Sequence, residues 1–207
     1  MTVTDLVVAE RRDLLALLED LAPHEWEAPS LCARWRVRDV VAHVLSYEVV
    51  GRAGLVSMVR RGRGLPDRMN AAGVEDLATA EPARLVELLR EHLEPSGPAA
   101  LFGGRVGLCD GMIHQQDIRR PLGRPREVPA DRLRPVMSFA LTAPPVRGAW
   151  RARGLRLVAT DLDWSFGRGP EVRGPGEAVL MAMAGRRHAL DDLDGPGLWR
   201  LAGHLPD

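Results

Sequence analysis

The sequence predicts an α+β protein, in which an N-terminal four-helix bundle is followed by a small α/β unit. Apolar residues recur at helical spacing through the first two thirds of the chain. After Pro144 and Pro145 the pattern changes to a short alternation typical of strands. We therefore predict a helical domain over 1–145 and an α/β domain over 146–207, since a chain of 207 residues can form one core and a smaller satellite.

Four helices are predicted for the bundle. Leucine spacing indicates a first helix over 4–21, and a long apolar run indicates a second over 37–58, with His43 inside it. Pro82, in a position suited to the first turn, predicts the start of a third helix. A fourth is predicted over about 105–118, closed by a Pro and Gly pair.

The C-terminal part has a mixed pattern. A short helix is predicted over 131–141. Alternation over 155–160, a Gly-rich turn and the run 171–173 together predict a β-hairpin. Two further helices are predicted, over 176–184 and 197–204.

Composition narrows the choice of partners and compartment. Basic and acidic residues both number 28, so neither nucleic acid nor an anionic membrane is expected as a partner. The N-terminus does not resemble a signal peptide, and no apolar run is long enough to span a bilayer. Cys32 and Cys109 are too few for a disulfide scaffold. We therefore expect a cytoplasmic protein.

A metal site is predicted from three side chains. Asp110 and His114 lie four residues apart on one predicted helix, so both can reach a single ion. His43 lies on another helix and can supply a third ligand in the bundle interior. Two histidines and a carboxylate leave a coordination position open, as in catalytic zinc sites. The alternatives are a hydrogen-bonded core histidine at position 43 and a surface pair at positions 110 and 114.

Three segments resemble the mycothiol-dependent maleylpyruvate isomerase family. They are Pro29–Trp35 with Val37–His43, then Asp110–Gly123, and finally Ala159–Trp164 with Gly185 and Arg186. The resemblance implies a DinB-like four-helix bundle, a sterol-carrier-like C-terminal domain, and a divalent metal, zinc, held by His43, Asp110 and His114. One position departs from the family, where glutamate is expected in place of Asp110.

The resemblance also implies a reaction. An open metal position would hold mycothiol as a thiolate, which adds to a conjugated double bond for isomerisation or remains attached to a small electrophile in S-transfer. The lysine-free, arginine-only composition fits an actinobacterial source of mycothiol. Arg119, near the end of the ligand helix, is a candidate catalytic residue that could anchor a carboxylate of the thiol or substrate, with a solvated or capping charge as the alternative. The resemblance implies a further arginine that reaches the cleft from the C-terminal domain, for which Arg186 is the candidate and a surface charge the alternative.

Two other functions use the same ligands. One is a non-catalytic metal-binding or sensor module, and the other is a metal-dependent hydrolase. Hydrolysis needs a general base, for which Glu48 is the nearest candidate, although we expect Glu48 to pack outside the site. The sequence predicts a small thiol and a small electrophile as partners, and leaves a monomer or a dimer open.

Overall fold

The computed structural model describes residues 1–50 and 52–206, which form two compact units divided after Pro125. The described residues are mostly helical, with a three-stranded sheet in the second unit. This confirms the predicted α+β class. No helix in the described ranges has the length and apolar character required to cross a membrane.

The first unit contains the predicted helices and several additional ones. Four helices match the predictions closely or in part: α1, α3, α6 and α7. Two more, α4 and α5, lie between α3 and α6, and a short α2 follows α1. The bounds are α1 (Val3–Glu19), α2 (Pro23–Trp26), α3 (Val37–Val49), α4 (Arg52–Gly62), α5 (Pro66–Asp76), α6 (Pro82–Glu91) and α7 (Arg105–Arg119), with a 3-10 turn at Gly97–Ala100.

The predicted helix over 37–58 is wrong as one continuous element. It is divided into α3 and α4, and residue 51 between them lies outside the described residues. Helix α5 was not predicted, because 61–68 is rich in Gly, Pro and Arg. Pro66 occupies the first turn of α5, where its fixed φ favours a helix and its missing N–H costs nothing.

The core of the bundle comes from the apolar faces of α1, α3, α6 and α7. Their buried residues pack together, as the periodicity predicts. The N-terminus of α1 is closed by a capping box, in which Thr2 Oγ1 accepts from the Asp5 N–H at 3.2 Å and Asp5 accepts from the Thr2 N–H at 2.7 Å. The principal core residues are Leu14, Leu17, Leu18, Val37, Val40, Val41, Leu45, Leu85, Leu89 and Ile118.

A buried ion pair joins α1 to α3. Arg11 donates to the carboxylate of Glu48, and its other amino group donates to the carbonyl oxygen of His92 at 2.7 Å. Glu48 also accepts from the N–H and hydroxyl of Ser96, at 2.8 and 2.9 Å. Glu48 is 8% exposed, because these donors replace the water lost on burial.

The second unit is built on the sheet. Its strands are β1 (Arg156–Ala159), β2 (Ser165–Gly167) and β3 (Glu171–Gly174), in the order β2-β1-β3. The prediction that residues 155–160 and 171–173 form a β-hairpin is wrong. Strand β1 pairs antiparallel with β2, and β3 lies parallel to β1 on its other side. The helices are α8 (Ala130–Thr142), α9 (Gly148–Arg151), α10 (Gly176–Met183) and α11 (Leu198–Ala202), with a 3-10 turn at Arg187–Asp192.

The division between the units lies earlier in the chain than the sequence suggested. We expected the boundary at 145/146, next to the Pro144 and Pro145 pair. The structure divides after Pro125, because α8 packs against α10 of the second unit. The proline pair therefore marks the end of α8 within that unit.

Helix α5 packs closely on α3 at Gly73. A Cβ at this position would lie 2.5 Å from Ser46 Oγ and 2.8 Å from the Met58 methyl. Ser46 cannot easily move away, because its hydroxyl donates to the His43 carbonyl oxygen at 2.7 Å. We expect Gly73→Ala to lower the free energy of unfolding by about 1–3 kcal/mol through overpacking.

The matched control is Gly111→Ala in α7, where the nearest atom to a new Cβ lies 4.0 Å away. This variant should be unchanged or stabilised by up to about 1 kcal/mol, the helix propensity of Ala over Gly. Urea unfolding of the metal-free protein measures both changes. Equal effects would show that α5 does not approach α3 so closely.

Candidate metal centre

Three predicted ligands meet between α3 and α7. Nε2 of His43 lies 3.7 Å from Oδ1 of Asp110, and Nε2 of His114 lies 3.4 Å from the same oxygen. The two imidazole rings are 4.7 Å apart at their centroids and nearly perpendicular. All three donor atoms lie within 4.8 Å of one another, so the structure brings the predicted ligands together.

The spacing of these donors fits a metal ion. Ligands at about 2.0–2.2 Å from a tetrahedral zinc are separated from each other by about 3.3–3.6 Å. The two distances to Asp110 are close to this spacing and are long for hydrogen bonds. The donor set of two imidazoles and one carboxylate is also one that zinc accepts. The residues present therefore fit a divalent metal.

His43 does not have the surroundings of a satisfied core histidine. It is buried, yet its Nδ1 has no hydrogen-bond partner among the described residues. Burial lowers the pKa of its imidazole, outweighing the carboxylate of Asp110, so the ring is neutral at neutral pH. A neutral imidazole is the form that binds metal. A neutral ring with Nε2 at ligand spacing from Asp110 favours the ligand interpretation of His43 over the core interpretation.

Asp110 and His114 form a strongly coupled pair. Burial opposes ionisation of Asp110, but His114 and then His43 hold the pKa of its carboxyl group well below the usual range. Burial also acts against a charged His114, but the carboxylates of Asp110 and Asp117 outweigh it and raise the pKa of the imidazole. The ligand cluster thus has an electrostatic preference for a positive charge at its centre.

The site is open on one side. The Asp110 side chain keeps 37% of its surface exposed, whereas the side chains of His43 and His114 are 3% and 12% exposed. The two histidines are therefore anchored in the bundle, and the Asp110 side chain is partly accessible to solvent. A further ligand can approach from the Asp110 side.

Asp117 supports His114 from behind. Its carboxylate accepts from Nδ1 of His114 at 2.9 Å and from the thiol of Cys32 at 3.1 Å, and the residue is fully buried. A carboxylate on the outer nitrogen of a ligating histidine fixes the ring orientation and makes the other nitrogen a better ligand. Asp117 lies near the end of α7 and is not among the predicted site residues. The signal for its role was its spacing, three residues after His114.

A second donor group shares His114 but has different spacing. Cys32, His114 and Asp117 also lie within 4.8 Å of one another. The distances from Asp117 are 2.9 and 3.1 Å, which are hydrogen-bond lengths and too short for ligands around a common zinc ion. This group orients His114, and the group on the Asp110 side has the metal-binding spacing.

The segment 29–36 holds two side chains against the site. It is closed by a bridge between Pro29 and Arg36, and the N–H of Leu31 donates to the carbonyl oxygen of Asp117 at 3.0 Å. This arrangement places Cys32 on Asp117 and the Trp35 ring 5.0 Å from His43. Residues 29–36 are thus attached to α7, and the Trp35 ring packs against His43.

Tyr47 is a site residue that the sequence reasoning missed. It lies one turn after His43 on α3, and its ring meets His43 edge-on at 5.7 Å. The hydroxyl donates to Oδ1 of Asn70 on α5 at 2.6 Å. Burial, and then the charge of Asp110, raise the pKa of its phenol, so the hydroxyl stays protonated. The signal in the sequence was its spacing of four residues from His43.

The cysteines differ in their surroundings. Burial raises the pKa of the Cys109 thiol to about 12, so it remains protonated at neutral pH and is a poor nucleophile. Cys32 is partly buried and donates to Asp117. Neither arrangement is that of an activated nucleophile.

Arg119 and Arg186, the two predicted catalytic arginines, belong to different units. Arg119 donates to Gln115 at 2.9 Å and to the carbonyl oxygen of Asp13 at 3.3 Å, on the α1 side of α7. Arg186 belongs to the second unit, where it donates to the carbonyl oxygen of Ala184 at 2.8 Å. A catalytic role for either residue stays a prediction.

Comparisons with known proteins agree with this architecture. Residues 7–97 match the family model described as the mycothiol maleylpyruvate isomerase N-terminal domain. The matched range contains His43 and ends before Asp110 and His114. A search of curated proteins finds no match.

Two solved structures share the fold. One is a crystal structure of the mycothiol-dependent maleylpyruvate isomerase, and the other is a mutant of it with alanine in place of a histidine. Each has a TM-score of 0.64 and 16% identity, and the match covers 94% of this chain and 91% of the other.

The role of Asp117 can be tested by replacing one oxygen. Asp117→Asn keeps the shape but removes the negative charge facing His114. We expect metal affinity to fall by about 10- to 100-fold, the usual effect of losing a partner of a ligating histidine. Competition with a chromophoric chelator measures the change. Cys32→Ser keeps a donor to Asp117 and should lose much less; equal losses, or none in Asp117→Asn, would contradict the assignment.

The length of the Asp110 side chain can be tested directly. Its oxygen already lies at ligand spacing from both histidines. Asp110→Glu adds a methylene and moves the carboxylate beyond that position, so we expect weaker metal binding than in the wild type. The same competition assay measures it. Tighter binding by the glutamate variant would mean that the shorter arm is a handicap in this bundle.

Proposed function

We propose that this chain, whose residues 7–97 match the mycothiol maleylpyruvate isomerase N-terminal domain, is a metal-dependent enzyme that activates a small thiol. The thiol is mycothiol, and the reaction is cis-trans isomerisation of a small electrophile or transfer of sulfur to it. The single observation that carries the proposal is the metal spacing of His43, Asp110 and His114 around an open side.

The ligands and their supports have separate tasks. His43, Asp110 and His114 would hold the ion, zinc in our proposal. A bound divalent metal stabilises a coordinated thiol as its thiolate at neutral pH. Asp117 holds His114 in the tautomer with Nε2 free to ligate, since its carboxylate accepts a hydrogen bond from Nδ1. Trp35 and Tyr47 pack on His43 and keep water from its ring.

An enzyme that activates a thiol needs no protein nucleophile. This agrees with the protonated Cys109 and with a Cys32 that serves as a donor to Asp117. Arg186 and Arg119 remain proposed anchors for an acidic group of the substrate or the thiol. We also propose a cytoplasmic location, where such a thiol is kept reduced.

The two other functions receive less support. The only general base that the sequence offered to a hydrolase, Glu48, is engaged by Arg11 and Ser96. A metal sensor would use the same ligands, but the open, partly exposed Asp110 side is a feature of sites that accept a substrate. Thiol binding separates these possibilities.

The proposal predicts a specific dependence on metal. Untagged wild-type protein should contain close to one zinc per chain, and His114→Ala should contain none after the same purification, because one ligand of three is lost. His24→Ala is the matched control, since His24 is exposed in the same unit. Metal content is measured by elemental mass spectrometry. A His114→Ala protein that keeps its metal would overturn the site.

Thiol binding tests the chemistry. Calorimetric titration should show mycothiol binding to the zinc-loaded protein and no binding to the metal-free protein. Binding that ignores the metal would place the thiol elsewhere, and a loaded protein that binds no thiol would favour the sensor or the hydrolase.

A further inference from the structure

We infer that Tyr47 is a substrate-contacting residue of this site, whose hydroxyl donates a hydrogen bond to an oxygen of the electrophile bound on the open side. The inference rests on the proposed function, because it assumes that a thiol and an electrophile meet at the metal. It adds the group that donates a hydrogen bond to the oxygen on which negative charge develops when they react.

Tyr47 is in position for this role. It follows His43 by four residues on α3, so both side chains lie on the same face of the helix. Its ring meets His43 at 5.7 Å, nearly edge-on. Tyr47 and Asp110 are both half-buried, and the Asp110 charge acts on the phenol. The phenol is therefore partly accessible and near the Asp110 carboxylate.

The Tyr47 hydroxyl is hydrogen-bonded to Asn70 but can be released to donate to a ligand. The hydroxyl oxygen lies 2.6 Å from the Asn70 side-chain oxygen. An amide presents an acceptor at one end and donors at the other, so turning the Asn70 amide lets its NH₂ group donate to the phenol oxygen. The phenol O–H is then free for a ligand. The switch requires only side-chain rotations.

The backbone around this pair is fixed by close packing. Helix α5, which carries Asn70, approaches α3 closely at Gly73, where even a methyl group would collide with Ser46. Asn70 is therefore held at a set distance from Tyr47. Only rotations of these two side chains therefore separate the hydroxyl bonded to Asn70 from one that donates to a ligand.

The chemistry of thiol addition supplies the acceptor. The thiolate electron pair forms a carbon–sulfur bond at a double bond conjugated with a carbonyl, and the π electrons move to the carbonyl oxygen. The Tyr47 hydroxyl stabilises this oxyanion by a hydrogen bond and keeps its proton. In isomerisation, rotation about the resulting single bond is followed by return of the electrons and expulsion of the thiolate. In transfer, a proton from water is added to carbon.

Two probe thiols can distinguish a hydrogen-bonding role of Tyr47 from a packing role. Mercaptosuccinate carries carboxylates like those of an adduct with an acidic electrophile, whereas 2-mercaptoethanol carries none. Tyr47→Phe keeps the ring on His43 and removes only the hydroxyl. In the zinc-loaded protein we expect the variant to bind mercaptosuccinate about tenfold more weakly, as for the loss of one hydrogen bond to a charged group. Zinc content and affinity for 2-mercaptoethanol should be unchanged.

The wild-type protein provides an independent measurement. Tyr47 is the single tyrosine of the chain, so protein labelled with [¹³Cζ]tyrosine gives one resonance from the site. It should shift on addition of mercaptosuccinate well beyond its shift with 2-mercaptoethanol. Equal shifts, or a Tyr47→Phe protein that loses zinc or binds both thiols equally weakly, would reduce Tyr47 to a support for His43 and overturn the inference. If neither thiol binds the loaded wild type, the proposed function fails, and this inference fails with it.

Discussion

The hydrogen bond between Asp117 and His114 is the interaction on which the proposed metal centre depends. A fully buried carboxylate costs several kcal/mol unless its oxygens are paired, and here His114 and Cys32 supply the donors. The pair fixes His114 with Nε2 turned to Asp110. It also explains why the loop before α3 is fastened to α7, since the same loop carries Cys32. The enclosed side of the centre is thus a hydrogen-bonded support, and the other side is left for ligands.

The motif 29–43 can be interpreted in these terms. The segment runs from the Asp117 side of the site to the proposed ligand His43. Cys32 contacts Asp117, Trp35 packs on the His43 ring, and Arg36 begins α3 by donating its N–H to Asp39 at 2.9 Å. One continuous segment therefore sets the support, the wall and the ligand helix. This accounts for the resemblance being long and ordered around His43, where a single ligand would require only one residue.

Periodicity predicted α1, α3, α6 and α7 because each buries a stripe of apolar residues in the same core. It did not predict α5, whose contacts with α3 depend on Gly73 and Asn70 and leave little apolar pattern. The parallel pairing of β3 with β1 was missed because alternation indicates a strand but not its neighbour. Likewise, the spacing of Asp110 and His114 indicated a shared face. The roles of Asp117 and Tyr47 could not be predicted without knowing which residues of other elements they contact.

The two donor groups around His114 show why distances decide where a metal binds. Both contain three groups that are plausible zinc ligands, and both use the same imidazole. On the Asp117 side the donors are at hydrogen-bond length, so a proton already satisfies them. On the Asp110 side, Nε2 of His114 and Nε2 of His43 lie 3.4 and 3.7 Å from the Asp110 oxygen, which is the spacing of ligands around zinc. The hydrogen bonds among Cys32, His114 and Asp117 hold the His114 ring in the orientation that faces Asp110. This group must therefore keep its protons, and bind no metal itself, for the proposed ligands to stay at metal spacing.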